Sequence, residues 1–467
     1  MESPLLQDLE AFTSQGNYIE VLQFLTHFRK KFTKQQSFPF PLQFKASLMT
    51  FLQKFIVHTI SDLPERSKLK MESLWLITNI TATLADSEFL QLITNDLIKD
   101  ILHCLESNYF EILENALWAL ANISGCHVIF RDQIIASRLF LCVNKIKSKL
   151  FLLQHLELPN PKSKPKRTSL LNPVAWLFCN LFIGPPYPDF PMIKHYIGTL
   201  IELLYEGDPE IIKYTLRAWR GITQKCGENE IKILNNFGLM MKILGVLVQN
   251  IEIEEKKHKD VVYEGLKVVG NIVAESSNAQ TQIYFDCNLV KVLEMVLRKN
   301  EKDLVGSVCW ILSNLAMGND TQIKVLMQNE IYEKMIRNLK SKDSHIQSES
   351  LHFFTNLVAF STMKQRNILV NKGILCSFFN SLELFSQQEE KILMALRSIH
   401  SLLETCPLEK VGVQSSWRFA LQKMMMNYKG KTEISDICDG IQNFFEESDL
   451  KLLGSYFNIN FYPFQED

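Results

Sequence analysis

The chain has 467 residues, enough for several domains or one extended array, and its formal charge of −1 gives no bulk attraction to nucleic acid or to a membrane surface. Its ten cysteines form no C-x-x-C pair and, with no recognisable signal peptide, read as reduced core residues of an intracellular protein rather than metal or redox ligands. The longest apolar runs, near 174–184 and 237–248, are shorter than a membrane span and are interrupted by Asn180 and Lys242.

Low Gly and Pro content predicts a mostly helical chain. Periodicity predicts helices at about 5–13, 18–32 and 42–61, with Pro64 as a break. Further helices are expected at 66–83, 96–107 and 110–125, the last closed by Gly125 in a left-handed cap. An apolar helix is expected over 133–153. A basic loop insertion, 157–171, follows it and carries Pro159, Pro161, Pro165, Lys162, Lys164, Lys166 and Arg167. Asn172 and Pro173 then read as the N-cap and first residue of a new helix. Units of similar size follow at 188–227, 230–275, 281–318, 321–360 and 364–406, and two helices in 417–448 close the stack. The expected organisation is therefore N-terminal helices in 1–41, an array of about eight repeats plus a cap in 42–448, and a tail, 449–467.

One pattern recurs along this series. Of six tryptophans, four have Asn at the fourth following position: Trp75/Asn79, Trp118/Asn122, Trp176/Asn180 and Trp310/Asn314. Residues four apart share one face of a helix. Asn is about one residue in fifteen here, so chance accounts poorly for the match. Asn79 to Asn122 is 43 residues and Asn314 to Asn356 is 42, the period of stacked two- or three-helix repeats. Asn122 to Asn180 is 58, a difference the insertion explains. Two uses of these residues stay open. A tryptophan can be a core contact and an asparagine can brace a neighbouring loop. Alternatively the aromatic and the amide together form a face for an extended ligand. No nucleophile–base pair, phosphate loop or paired-carboxylate motif stands out, so the chain reads as a binding protein with no cofactor or metal rather than as an enzyme.

The segments ENALWALANISG (114–125), DPE (208–210), GLKVVGNIVAESSNAQTQ (265–282), VCWILSNLAMGNDTQI (308–323) and QSESLHFFTNL (347–357) occur in the order in which the importin-alpha family has comparable ones. Over about residues 45–445 the chain resembles that family of armadillo-repeat nuclear import adaptors. The resemblance implies an all-α, right-handed superhelical solenoid whose third helices line a concave groove. It implies that Trp75, Asn79, Trp118, Asn122, Trp176 and Asn180 form a major peptide site. Trp310, Asn314, Glu349, His352 and Asn356 would form a minor one, with Arg217, Lys267 and Asn271 between. It further implies basic nuclear localisation signals of cargo proteins as partners, and residence in cytoplasm and nucleus. The alternative is a scaffold that kept the stack but binds a different protein.

Departures from the family pattern bear on that choice. Cys126 stands where the family has Asp. In the fourth repeat Arg217 and Gly221 replace aromatics and Tyr214 replaces an acid. The first 40 residues offer only Arg29–Lys31 and Lys34 as a basic cluster, so binding of importin beta stays open. The stretch Lys164–Arg167 resembles a ligand of that groove and is expected to be able to occupy it in cis or in a neighbouring molecule. The face is less acidic than the family's, which predicts weak or altered selection of basic peptides.

Overall fold

The computed structural model describes residues 4–35, 40–57, 64–155, 167–328, 330–406 and 413–457. Among these there is no strand, and the chain divides into two compact units, Met1–Val268 and Val269–Asp467. In the first unit α1 (Pro4–Ser14) and α2 (Tyr18–Gln35) precede α3 (Leu42–Ile56) and α4 (Pro64–Thr81). Triplets follow: α5 (Asp86–Leu92), α6 (Asn95–Cys104) and α7 (Phe110–Cys126), then α8 (Val128–Ile135), α9 (Leu139–His155) and α10 (Arg167–Phe182). Next come α11 (Phe190–Ile193), a 3-10 turn (Lys194–Tyr196), α12 (Ile197–Leu203) and α13 (Pro209–Thr223). After α14 (Glu228–Asn236) and α15 (Leu239–Asn250), the two units divide within α16 (Lys256–Ala274).

The second unit repeats the triplet in α17 (Asn278–Asp286), α18 (Leu289–Arg298) and α19 (Lys302–Leu315), and in α20 (Asp320–Gln328), α21 (Glu330–Asn338) and α22 (Ser344–Phe360). It continues with α23 (Met363–Asn371), α24 (Ile374–Leu384) and α25 (Glu389–Thr405), and ends with α26 (Ser415–Asn427) and α27 (Thr432–Phe457).

Local chemistry sets these boundaries. The Asp208 carboxylate accepts from the Glu210 N–H at 2.8 Å, and Pro209, which has no N–H to orphan, starts α13. Asp343 accepts from the His345 and Ile346 N–H groups, both at 2.9 Å, and starts α22. Gly238 (φ 78°), Asn288 (φ 63°) and Gly373 (φ 79°) stand just before α15, α18 and α24, where the turn from first to second helix needs a left-handed residue.

The third helices carry the stack. In the first unit α2 packs on α4, α4 on α7, α7 on α10 and α10 on α13; in the second α19 packs on α22 and α22 on α25. On α7 the expected core residues Leu117, Leu120, Ala121 and Ile123 are fully buried. At about 25 cal/mol per Å² of apolar surface, such faces are the main source of cohesion between repeats.

First helices are tied by a second feature. Gln322 donates to the Asn278 carbonyl at 3.0 Å, and Gln365 donates to the Asp320 carbonyl at 2.9 Å. Both glutamines are buried, and both stand at the third residue of their helix.

Three local expectations change. Gly125 lies inside α7, whose C-cap is His127 in extended conformation. A Cβ at Gly125 would sit 3.2 Å from Asn180 Cγ, so the glycine serves the approach of the next repeat and not a left-handed turn. The expected 133–153 helix is two, α8 and α9, broken at Ala136, where α8 ends. Helix α10 begins at Arg167, so Pro173 lies inside it, buried against the core, and Asn172 is no N-cap. Of the insertion, residues 157–166 lie outside the described residues.

Candidate functional site

The six tryptophans fall into two groups. Trp219 (0% exposed) and Trp417 (5%) are buried, whereas Trp75, Trp118, Trp176 and Trp310 are half-buried. The half-buried four are the ones followed by Asn at the fourth position. On α7, Glu114, Asn115, Trp118 and Asn122 are half-buried and flanked by exposed Glu111 and Gly125, while the residues between them face the core and the two end residues, Phe110 and Cys126, are half-buried. The same stripe recurs on α10 at Asn172, Trp176 and Asn180.

The amides brace neighbouring third helices. Asn122 Nδ2 donates to the Thr78 carbonyl at 3.2 Å and approaches Thr81 Oγ1 at 3.4 Å. Asn180 donates to the Ala121 carbonyl at 3.0 Å, and Asn356 to the Ser313 carbonyl at 2.9 Å. In each case the acceptor is the residue before the asparagine of the preceding repeat. Asn79 donates to Thr33 Oγ1 on α2 at 3.0 Å, and Asn314 to the Trp310 carbonyl within its own helix at 3.1 Å. Each such bond stabilises by about 0.5–1.5 kcal/mol and holds the amide in one orientation. Each bond occupies one N–H of the amide, which carries a second N–H and a carbonyl oxygen.

The slots beside the rings differ. The Arg29 guanidinium lies 3.9 Å from the Trp75 ring centroid and pairs with Glu72 through Nε–Oε2 at 2.5 Å and Nη2–Oε1 at 3.2 Å. Glu72 is 3% exposed. The first slot is thus filled from α2 by the chain's own cation. Trp176 meets the edge of Tyr214 at 4.8 Å between centroids. Trp118 has no aromatic or cationic partner among the described residues. Beside it on α7, burial together with the neighbouring Glu111 charge raises the Glu114 carboxyl above its ordinary value. Arg217, expected at the centre, joins Arg220 on the buried Glu264, with Nε–Oε1 at 2.8 Å and Nη1–Oε2 at 2.9 Å. Gly221 leaves no room for a side chain, because a Cβ there would lie 2.0 Å from the Phe182 carbonyl oxygen. Close contact between α10 and α13 therefore accounts for the missing aromatic at this position of the fourth repeat.

Lys267 and Asn271 lie on α16, with the Lys267 ammonium 5.3 Å from the Tyr263 ring centroid. In the second unit Trp310 packs on Gly270, where a Cβ would fall 1.9 Å from ring Cζ3. Glu349 accepts from Ser313 Oγ at 3.3 Å and has His345 Nδ1 at 3.9 Å. His352 is half-buried one turn before Asn356. Cys126 is half-buried at the end of α7. Arg167, the described end of the basic insertion, pairs with Glu206 rather than with a tryptophan, through Nη2–Oε1 at 2.6 Å.

Sequence reasoning did not single out Arg29, Thr33, Glu72 or Glu264 for this face. One signal was available: Arg29 and Thr33 are four apart, and Arg29 precedes Trp75 by 46 residues, close to one repeat.

The armadillo/beta-catenin-like repeat family matches over residues 98–125, from α6 through most of α7. Importin subunit alpha-1b of Oryza sativa subsp. japonica is 24% identical over 305 residues, 65% of this chain and 51% of that protein. Importin subunit alpha-8 of Arabidopsis thaliana is 20% identical over 344 residues, 73% of this chain and 71% of that protein. The chain spans about half the length of the rice relatives it matches, 51% and 54%. The crystal structure of an engineered protein superposes with a TM-score of 0.70 at 18% identity, covering 95% of this chain and 99% of that one. The fold is an all-α armadillo-repeat solenoid, distantly similar in sequence to importin alpha subunits.

Proposed function

We propose that the protein is an importin-alpha-like adaptor that holds extended basic peptides along its third helices, in the manner of a nuclear import receptor working between cytoplasm and nucleus. The observation that carries this reading is the partition of the tryptophans: those with an Asn partner stay half-buried at the surface of their own unit, and those without are buried. The major site would comprise Trp75, Asn79, Trp118, Asn122, Trp176 and Asn180. The minor site would comprise Trp310, Asn314, Glu349, His352 and Asn356, with Arg217, Lys267 and Asn271 between. Because Arg29 already covers Trp75, a peptide would enter at Trp118 and Trp176. The aliphatic stem of a lysine lies on a tryptophan face at about 0.5–2 kcal/mol, while the amides bond any peptide backbone. The array is proposed to run over 42–448, preceded by the N-terminal helices of 1–41, from which Arg29 and Thr33 of α2 add a rung, and followed by 449–467, which begins within α27, as a tail.

A second reading, a scaffold for a different protein partner, is favoured by the amides themselves, which donate to neighbouring helices of the array. Fluorescence anisotropy of a labelled lysine-rich bipartite signal peptide separates the two. We expect saturable binding to the intact protein and its loss in Trp118→Ala/Asn122→Ala, with circular dichroism showing that the variant still folds. Absence of binding at low salt rejects the adaptor reading in favour of the scaffold. Importin beta is tested afterwards, by adding it to the peptide complex.

A further inference from the structure

Away from the tryptophan face, the first helices α20 and α23 enclose a groove of about 760 Å³. Its floor is apolar: Met327 is buried, Met363 is 64% exposed and Ile368 is 48% exposed. Another first helix also exposes an isoleucine, since Ile283 of α17 is 56% exposed. Around the floor stand Lys324, Lys364 and Lys372, against one carboxylate, Asp320. None of the three lysines forms an ion pair among the described residues, whereas many other lysines of this chain do. Lys372 is held with its ammonium 4.6 Å from the centroid of the buried Tyr332 ring.

Exposed methionine and isoleucine cost free energy in water unless something covers them, and methionine suits a surface that adapts to its occupant. Unpaired lysines around an apolar floor select for negative charge and against a second basic segment. The apolar floor in turn favours a polypeptide over a nucleic acid, whose binding needs phosphate contacts rather than methionine. The walls are fixed, because Gln365 ties α23 to the Asp320 carbonyl at 2.9 Å.

We infer that this groove is a docking site for a partner segment that presents one or two large apolar residues flanked by aspartate or glutamate. It lies on first helices and is independent of the basic-peptide reading.

The test is selection of a random twelve-residue phage-displayed library on the full chain, followed by anisotropy of the enriched peptides. Peptides with an apolar anchor between acids are expected. They should bind Ile368→Asp and the double variant Lys324→Glu/Lys372→Glu about tenfold or more weakly, and bind Trp118→Ala unchanged. Ile368 and both lysines are exposed, so the variants keep the core. Enrichment of sequences without acids, or acidic peptides that bind all variants equally, overturns the proposal. So does self-association in sedimentation velocity that Ile368→Asp abolishes, which would make a second copy the occupant.

Discussion

On α4, Glu72 is buried and holds Arg29 in two contacts, while on α22 Glu349 has, among the described residues, only the Ser313 hydroxyl at 3.3 Å and the His345 imidazole at 3.9 Å. In the first unit the chain supplies its own cations, since Glu264 likewise takes both Arg217 and Arg220. In the second unit, the carboxylate that reaches α19 three residues from Trp310 has no arginine or lysine on it among the described residues. A half-buried tryptophan is therefore not by itself a cation slot. What counts is whether the neighbouring carboxylate is already neutralised, because a second cation adds little to a satisfied pair.

The sharpest way to break this comparison is Arg29→Ala. It strands Glu72 in the interior without a counter-ion, and the expected loss is about 3–5 kcal/mol in urea unfolding. A loss under about 1 kcal/mol would show that the pair contributes no more than an exposed one. Next is Gly221→Ala, which pushes a methyl into the Phe182 carbonyl and should cost about 1–3 kcal/mol as α13 backs away from α10. An unchanged melting curve would mean that these helices are not held at that spacing. Glu349→Gln is the counterpart of the Glu72 experiment and should change stability by about 0–1 kcal/mol, since glutamine still accepts from Ser313. An effect as large as that of Arg29→Ala would erase the distinction between the units.

Smallest is Glu114→Gln, read by its sign. The folded-state carboxyl lies above its ordinary 4.5, so Glu114 exerts no penalty below that pH and a growing one as pH rises through its folded value. The variant should melt slightly higher at neutral pH and identically in acid. The opposite trend would place a cation beside Glu114.

Much of the fold was legible because helix periodicity, caps and the repeat spacing are local in sequence. The stripe on α7 is an example: Leu117, Leu120, Ala121 and Ile123 announce a core face, and Trp118 and Asn122 stand out against it. What escaped was set by the adjoining repeat. Gly125 has the sequence context of a cap, yet its role is to admit Asn180. Pro173 has the context of a helix start, yet α10 runs through it. Gln322 and Gln365 have the local context of capping boxes with Asn319 and Thr362, which gives no hint that their amides also reach back across about one repeat. Arg29 reads in the sequence only as part of a short basic cluster, because its one link to Trp75, a separation close to one repeat, is not local.

The bond that Asn122, Asn180 and Asn356 each make to the residue before the previous asparagine has a consequence for how such a chain can change. Asn356 reaches back 43 residues to Ser313 and Asn122 reaches back 44 to Thr78, but Asn180 reaches back 59 to Ala121 and closes the same kind of contact. The step from rung to rung is thus gauged by a side chain touching backbone and is indifferent to how much chain runs between. Extra residues inserted between helices can be gained or lost without detuning the spacing that any partner lying along the third helices would measure.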